Sequence, residues 1–199
     1  ASAGGRGGAT RAGGFAGRRK QALSGKAPAG TKAGRIVLLG RGNGDGFDAL
    51  AAQAAGGTIV AALARTGDKA AAIVVDTVKG SKLSAAEAAA QIAYGAALRD
   101  YRFDKYRTKE KAEDKPSLTT LTVQTRDAAA ARKAFAPLAK IADGVFLTRD
   151  LVSEPANVIF PASLAEQAKT LAKLGVKIQI LDRHQMERLG MGALLGVAQ

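Results

Sequence analysis

A long helical pattern that ends before a proline sets the organisation of this chain. Over residues 127–152, apolar residues recur every three or four positions, which is the spacing of one buried helix face. A helix of that length would extend for roughly 40 Å. The expected buried positions are Ala131, Phe135, Leu138, Ala142, Val145 and Val152. Pro155 lacks the N–H that a helix interior requires, so the sequence predicts a linker helix and loop over residues 127–160, between two units.

The second unit begins with a helix that has signals at both ends. Ser163 is followed three residues later by Glu166, which is the spacing of a capping box at a helix N-terminus. Gly175 can end this helix. The apolar residues that share one stripe of it are Leu164, Ala168, Leu171 and Leu174.

Alternating structure is predicted for the rest of this unit. Residues 176–181 (VKIQIL) are rich in β-branched residues and alternate, which favours a strand. Asp182 can cap a short helix that reaches Leu189, and Gly190 can end it. Residues 193–197 would form the next strand. We therefore expect the opening of an αβαβ domain that stops in mid-fold.

Upstream, strands and helices also alternate. Residues 35–40 (RIVLLG) form the first predicted strand, apolar enough to lie centrally in a sheet with both faces covered. An Ala-rich helix over residues 47–65 carries Gly56 and Gly57 in its interior, where we expect a kink or a close contact. Residues 71–76 (AAIVVD) form the second strand.

A further helix and strand complete this pattern. Ser84 and Glu87 form a capping box, and the helix that follows could turn Ala88, Ile92 and Ala96 or Leu98 towards a sheet. Residues 118–124 are rich in Thr and Val, which indicates a strand that could lie at an edge of the sheet. Strands that alternate with helices at these lengths predict βαβ units, a mainly parallel sheet and an α/β fold.

Several ordered motifs resemble those of a known family. DLVSEPANV, a proline three residues later, a helix, VKIQILD and ERLGMGALLGVAQ follow one another as in the linker and the start of the catalytic domain of leucyl aminopeptidases, also called cytosol aminopeptidases. The resemblance extends more loosely through FAGRRKQAL at Phe15, RIVLLGRG at Arg35 and YRFDKYRT at Tyr101. It implies a macro-domain-like N-terminal α/β sandwich, a long linker helix and the first elements of an α/β/α exopeptidase catalytic domain. The expected boundaries are 1–34 for a basic Gly-rich arm and first hairpin region, and 35–126 for the N-terminal α/β domain. Residues 127–160 would form the linker helix and loop, and residues 161–199 the truncated start of the catalytic domain.

The same resemblance implies a function for the complete protein. Members of this family remove N-terminal residues from peptides with two divalent metal ions, Mn or Zn, and assemble as homo-hexamers. Their metal ligands are a lysine, aspartates and a glutamate, assisted by an arginine and a bound bicarbonate. These motifs lie beyond the GMGALLGV segment, so we assign no catalytic, metal-binding or substrate-binding residue here. We expect this chain to be a regulatory and assembly portion that binds no metal.

Composition narrows the class of protein. The chain has 199 residues, 47% of them hydrophobic, which is enough for a core. It has no cysteine, so a disulfide scaffold and Cys-based zinc or nucleophile chemistry are excluded. No run approaches the roughly 18 apolar residues of a membrane span, and the first residues lack the apolar stretch of a signal peptide. We expect a cytoplasmic protein without a membrane partner, incomplete at its N-terminus.

The charge of the chain suggests an alternative partner. The formal net charge is +13, and the first 41 residues contain nine Lys or Arg and no Asp or Glu. Residues 1–14 cannot bury enough apolar surface to offset chain entropy, so this arm should be mobile unless a partner holds it. A nucleic-acid-binding accessory module is therefore the alternative function, with weak, non-specific DNA binding. A macro-type domain that binds a small ligand is a third hypothesis.

Four further patterns could suggest a site, and for each we favour a structural role. GRGNGDG at Gly40 follows a strand as a dinucleotide loop does, but its glycine spacing does not satisfy G-x-G-x-x-G. His184 is the only histidine and cannot build a metal site alone. The acidic side chains Asp143, Asp150 and Glu154 lie near Lys140 and Arg149, which favours surface ion pairs. YRFDKYRTKEKAEDKP mixes aromatic and basic residues, as single-strand binders do, but four acidic residues interrupt it.

Overall fold

Helices and short strands alternate along the chain in the computed structural model, which describes residues 14–27, 29–31 and 33–197. The basic arm predicted before residue 14 lies outside the described residues. The strands and helices, in chain order, are β1 Ala22–Lys26, β2 Arg35–Leu39, α1 Ala49–Leu63, β3 Ala70–Val74, α2 Ala85–Asp100, β4 Thr120–Gln124, α3 Ala128–Ser153, α4 Pro161–Lys169, α5 Arg183–Arg188 and α6 Gly192–Val197. The α/β class predicted from the sequence is confirmed. The chain divides into two compact units, residues 1–148 and 149–199.

The strands of the first unit form two separate ladders. β1 pairs with β2 antiparallel, with Ala22 opposite Leu39. β3 pairs with β4 in parallel, with Ala70 opposite Thr120. The prediction of one mainly parallel sheet with β2 covered at its centre was wrong for the described residues, where β2 has a strand neighbour on one edge only. The apolar run identified a strand, but the choice of its neighbours depends on distant parts of the chain.

Two capped helices form the centre of the first unit. The Asp48 carboxylate accepts a hydrogen bond from the Ala51 N–H (2.8 Å) at the start of α1. The predicted capping box of Ser84 and Glu87 is confirmed at the start of α2. Gly56 lies against α2, where a Cβ would overlap the Ile92 carbonyl oxygen, so the expected close contact is present. The central core cluster consists of Phe47, Ala52, Val75, Ala88, Ala89 and Ile92.

The long helix after β4 is present as predicted. α3 has 26 residues, begins where the Asp127 carboxylate accepts from the Ala130 N–H (2.9 Å), and ends at Ser153, ahead of Pro155. Ala142 is buried on its inner face. Val152 is 81% exposed, so its predicted burial was wrong, because it lies in the last turn of the helix.

The first helix of the second unit begins earlier than predicted. Pro161 occupies the first helical position of α4, where a missing N–H costs nothing. Ser163 is the third helical residue, and its hydroxyl accepts from the Phe160 N–H (2.9 Å). The predicted capping box of Ser163 with Glu166 was therefore wrong, and Glu166 pairs with Lys169 instead. A 3₁₀ turn follows α4, and Gly175 ends it with a φ of 84°, as expected.

The two predicted strands of the second unit are absent. Residues 176–181 are not part of a strand ladder, and residues 193–197 lie in the short helix α6. A strand requires a neighbour to bond its backbone, and no described residue of this unit pairs with either segment. The short helix α5 was predicted correctly: Asp182 caps it together with Gln185, and Gly190 follows with a φ of 70°.

Candidate functional site

The glycine-rich segment after β2 is a turn that the N-terminal segment holds in place. The Gly42 N–H donates to the Gly17 carbonyl oxygen (2.9 Å). The Arg19 guanidinium donates to the Gly46 carbonyl oxygen. A Cβ at Gly40 would overlap the Arg18 carbonyl oxygen, so this position requires glycine. The geometry agrees with the strand-to-helix turn that the sequence favoured.

A small cavity beside this turn gathers positive charge. It has a volume of about 210 Å³ and is lined in part by Arg19, Lys20 and Arg41. The Asp48 carboxylate also lines it and already caps α1. Arg19 already donates to the Gly46 carbonyl oxygen, and the Asp48 carboxylate would repel an anion in the cavity. The cavity therefore lacks a complete set of donors for a phosphate.

An ion pair that the sequence analysis missed joins β2 to the segment before β3. The Arg35 Nε donates to the Asp68 Oδ2 (2.8 Å), and the Thr66 hydroxyl donates to the same oxygen (2.7 Å). The Thr66 hydroxyl first, and Arg35 second, lower the pKa of Asp68 below its ordinary value. Arg35 also reaches the Ser24 hydroxyl on β1 (3.2 Å). No local pattern links positions 35 and 68, since the fold alone brings them together.

The basic and aromatic segment after α2, residues 101–116, is held together by interactions among its own side chains. Arg102 Nη2 lies 2.6 Å from both carboxylate oxygens of Glu110, and Arg107 lies 3.8 Å from the same group. Arg102 is the main cause of the lowered pKa of Glu110. Lys105 lies over the Tyr106 ring, 5.4 Å from its centroid. These cations are engaged within the segment, which supports its structural role over nucleic-acid binding.

The remaining candidate residues lie apart from one another. His184 is 84% exposed on α5, with its Nδ1 3.4 Å from a Glu187 carboxylate oxygen. Asp143 pairs with Lys140 (3.6 Å) on α3, as the ion-pair hypothesis expected. Across the described ranges, no group of three or more His, Asp or Glu side chains could hold a metal ion. These residues therefore do not fit a two-metal centre, and no step through a metal follows from them.

A helix that crosses a bilayer must be both long and predominantly apolar. None within the described part of the chain combines the length and the apolar composition needed to cross a membrane.

Comparison with protein families decides the identity of the chain. Residues 8–110 match the N-terminal domain of the cytosol aminopeptidase family, and residues 146–199 match its catalytic domain. The chain belongs to the cytosol aminopeptidase family. The resemblance seen in its motifs is thereby confirmed.

Relatives of known sequence agree with this family. The chain is 45% identical to a probable cytosol aminopeptidase of Afipia carboxidovorans over 186 residues. It is 44% identical to one of Caulobacter vibrioides over 186 residues. Each alignment covers 93% of this chain and 36% of the relative. The chain thus spans about a third of the length of the cytosol aminopeptidases that it matches.

Solved structures show the same fold. A mutant of tomato leucine aminopeptidase superposes with a TM-score of 0.76 at 26% identity, over 94% of this chain and 36% of the other. The bottromycin maturation enzyme BotP in complex with Mn superposes with a TM-score of 0.72 at 28% identity, over 91% and 36%.

Proposed function

We propose that this chain is the non-catalytic N-terminal part of an aminopeptidase that removes N-terminal amino acids from peptides. The observation that carries the proposal is the order of the two family domains, the N-terminal domain over residues 8–110 and the first part of the catalytic domain over residues 146–199. The substrates of the complete protein would be peptides with a free N-terminus. Its relatives are named cytosol aminopeptidases, which supports a cytoplasmic location.

Hydrolysis in the complete protein would use two divalent metal ions, Mn or Zn. When bound, such ions activate the attacking water and polarise the scissile carbonyl group. The Mn in the structure of BotP supports metal dependence. The described residues of this chain offer no ligand set, so the ligands would belong to the part of the catalytic domain that this chain does not share with its longer relatives.

The role of this chain would be regulation and assembly of the enzyme, as a homo-hexamer. In the second unit several large apolar side chains remain exposed, an arrangement typical of surfaces that pack against further polypeptide. They include Leu174 at 78%, Leu189 at 64%, Leu194 at 54% and Val197 at 87% exposure. The rest of a catalytic domain would cover them.

A comparison of activities tests the proposal. The 199-residue chain and a full-length version would be incubated with a leucine chromogenic substrate, with Mn or Zn added. We expect turnover by the full-length protein and none by the 199-residue chain, because the chain lacks a metal ligand set among its described residues. Metal-dependent turnover that stays with the purified 199-residue chain would overturn the assignment. If the full-length protein hydrolysed none of the peptide substrates tested, the proposed aminopeptidase activity would be overturned.

A further inference from the structure

A cleft separates the two ladders of the first unit. Its volume is about 710 Å³, and β2 lines one side while β3 lines the other. Side chains from the two central helices and the turn before them lie along it, namely Phe47, Ile59, Leu63 and Ile92. In the described residues, β2 pairs only with β1 and β3 only with β4, so each of these strands turns its second edge to the cleft.

The hydrogen bonds that flank β2 show which of its backbone groups face the cleft. The Ala27 N–H donates to the Gly34 carbonyl oxygen (3.2 Å), and the Gly40 N–H donates to the Gln21 carbonyl oxygen (2.7 Å). Backbone groups of an antiparallel pair alternate between the two edges of a strand, so the even-numbered residues bond β1. The residues whose N–H and C=O groups are directed to the cleft are Arg35, Val37 and Leu39.

The hydrogen bonds that flank β3 likewise show which of its backbone groups face the cleft. The Lys69 carbonyl oxygen accepts from the Thr120 N–H (3.1 Å), and the Val75 N–H donates to the Gln124 carbonyl oxygen (2.8 Å). In a parallel pair both backbone groups of a residue point to one neighbour, so the odd-numbered residues bond β4. The residues directed to the cleft are Ala70, Ala72 and Val74.

The volume of the cleft is of the same order as that of one strand. At the usual rise per residue, strand spacing and sheet packing distance, a five-residue strand occupies roughly 800 Å³. β2 and β3 have five residues each. Charged lining groups are confined to the Arg35 and Asp68 pair and to Arg41 and Asp76, while the rest of the lining is predominantly apolar. A ligand with hydrogen-bonding groups along both edges and apolar side chains would match the two strand edges and the apolar part of this lining.

We propose that the cleft binds an extended apolar polypeptide segment as a strand between β2 and β3, which joins the two ladders into one sheet. The occupant is a segment of the additional polypeptide that the longer family members carry, since this chain spans only 36% of their length. A strand paired on both edges and packed on helices is built from Val, Ile and Leu without proline. Pairing on two edges lets backbone hydrogen bonds supply affinity, as in β-strand addition.

Peptide binding to the 199-residue chain tests the proposal. The probes are short overlapping synthetic peptides that together cover the part of the Caulobacter vibrioides aminopeptidase outside the region matched here. Amide hydrogen exchange, resolved by residue, is followed at Val37, Leu39, Ala72 and Val74. We expect one apolar peptide to slow exchange at these four amides by about tenfold or more, while Leu38 and Ile73 are protected from the outset. The same peptide with N-methylated backbone amides should lose the effect, because it cannot pair.

A matched pair of protein variants adds a second readout. Val37→Lys places a charge in the cleft and should abolish peptide binding, whereas Val152→Lys changes an 81% exposed residue and should leave it intact. If Val37→Lys does not fold, the comparison of the unmodified peptide with its N-methylated form still tests the proposal. The proposal is overturned if no peptide protects these amides, if they are already protected by self-association of the chain, or if only small apolar molecules enter the cleft.

Discussion

Gly56 on α1 lies so close to α2 that a Cβ there would overlap the Ile92 carbonyl oxygen. The contact is reciprocal, because a Cβ at Gly95 on α2 would overlap the Gln53 carbonyl oxygen of α1. Two glycines facing opposite backbones let these helices approach more closely than any other residue type allows. The core of the first unit is built around this approach.

Replacing Gly56 by alanine should destabilise the first unit. Alanine favours a helix by about 1 kcal/mol over glycine, but the overlap with the backbone of α2 forces the helices apart, and overpacking of this kind costs about 1–3 kcal/mol. We expect a net loss in the free energy of unfolding, measured by urea denaturation. Gly57→Ala is the matched control, since its Cβ would meet ordinary contacts at 3.6 Å or more. It should stabilise by up to about 1 kcal/mol, and equal effects of both variants would contradict the close approach.

Acid should weaken the segment after α2 through Glu110. The pKa of Glu110 is lowered mainly by its hydrogen bonds from Arg102. A lowered pKa in the folded state gives stability that is complete above the ordinary carboxyl pKa and is lost as the pH falls through the lowered value. Glu110→Gln should therefore lose less stability than the parent chain when the pH is lowered through this range.

The comparison is made by urea denaturation at neutral and at acidic pH. Glu113→Gln is the control, because Glu113 is 77% exposed and pairs with Lys111 only at 3.7 Å. The control should keep the acid sensitivity of the parent chain. Identical pH profiles for the parent chain and Glu110→Gln would contradict a role for the Arg102 pair.

Sequence patterns predicted best where structure depends on neighbouring residues. Helix caps are local features, formed by residues close together in the sequence. Those predicted correctly are the capping box of Ser84 with Glu87, the Asp182 cap and the helix end at Gly175, whereas the Asp127 cap was not predicted. The helix over residues 128–153 followed from its own periodicity. These elements therefore lie close to where the sequence placed them.

Features that depend on distant residues were either predicted wrongly or not predicted at all. VKIQIL has strand composition, but a strand forms only with a neighbour, and none pairs with it among the described residues. Likewise, nothing near Arg35 in the sequence indicates that it meets Asp68, or that a cleft lies between β2 and β3. The family motifs identified the domain order, whereas they assigned no catalytic, metal-binding or substrate-binding residue.

Duplex DNA, if bound at all, should bind weakly and without sequence preference. The first 41 residues carry nine Lys or Arg and no acidic residue, so any attraction is directed at phosphates. Affinity should fall steeply as salt rises, with a logarithmic slope of about 0.9 for each phosphate contact. Fluorescence anisotropy with unrelated duplexes measures both properties. The variant Arg6→Gln with Arg11→Gln should reduce the slope, while binding that survives high salt and discriminates sequences would contradict the prediction.

Hydrogen exchange should distinguish the two parts of the chain. We expect the amides within residues 35–152 that are hydrogen-bonded in helices and ladders to be protected cooperatively in the 199-residue chain, because these residues include the central core, β2 and the β3–β4 ladder. Residues 161–199 should be protected only within the full-length protein, since 176–181 lack a ladder and their neighbours Leu174 and Leu189 are exposed. Protection of VKIQIL and ALLGV as strong as that of RIVLLG, in a monomer, would show that the second unit folds alone.

Pro137 gives the long helix α3 one turn that differs mechanically from the others. It lies inside the helix and cannot donate a backbone hydrogen bond to the carbonyl of Lys133. α3 therefore bends most easily at this turn, and the helical segments on either side of it are stiffer. A force applied to α3 would first be absorbed as a change of angle at Pro137, before any of the remaining backbone hydrogen bonds had to lengthen.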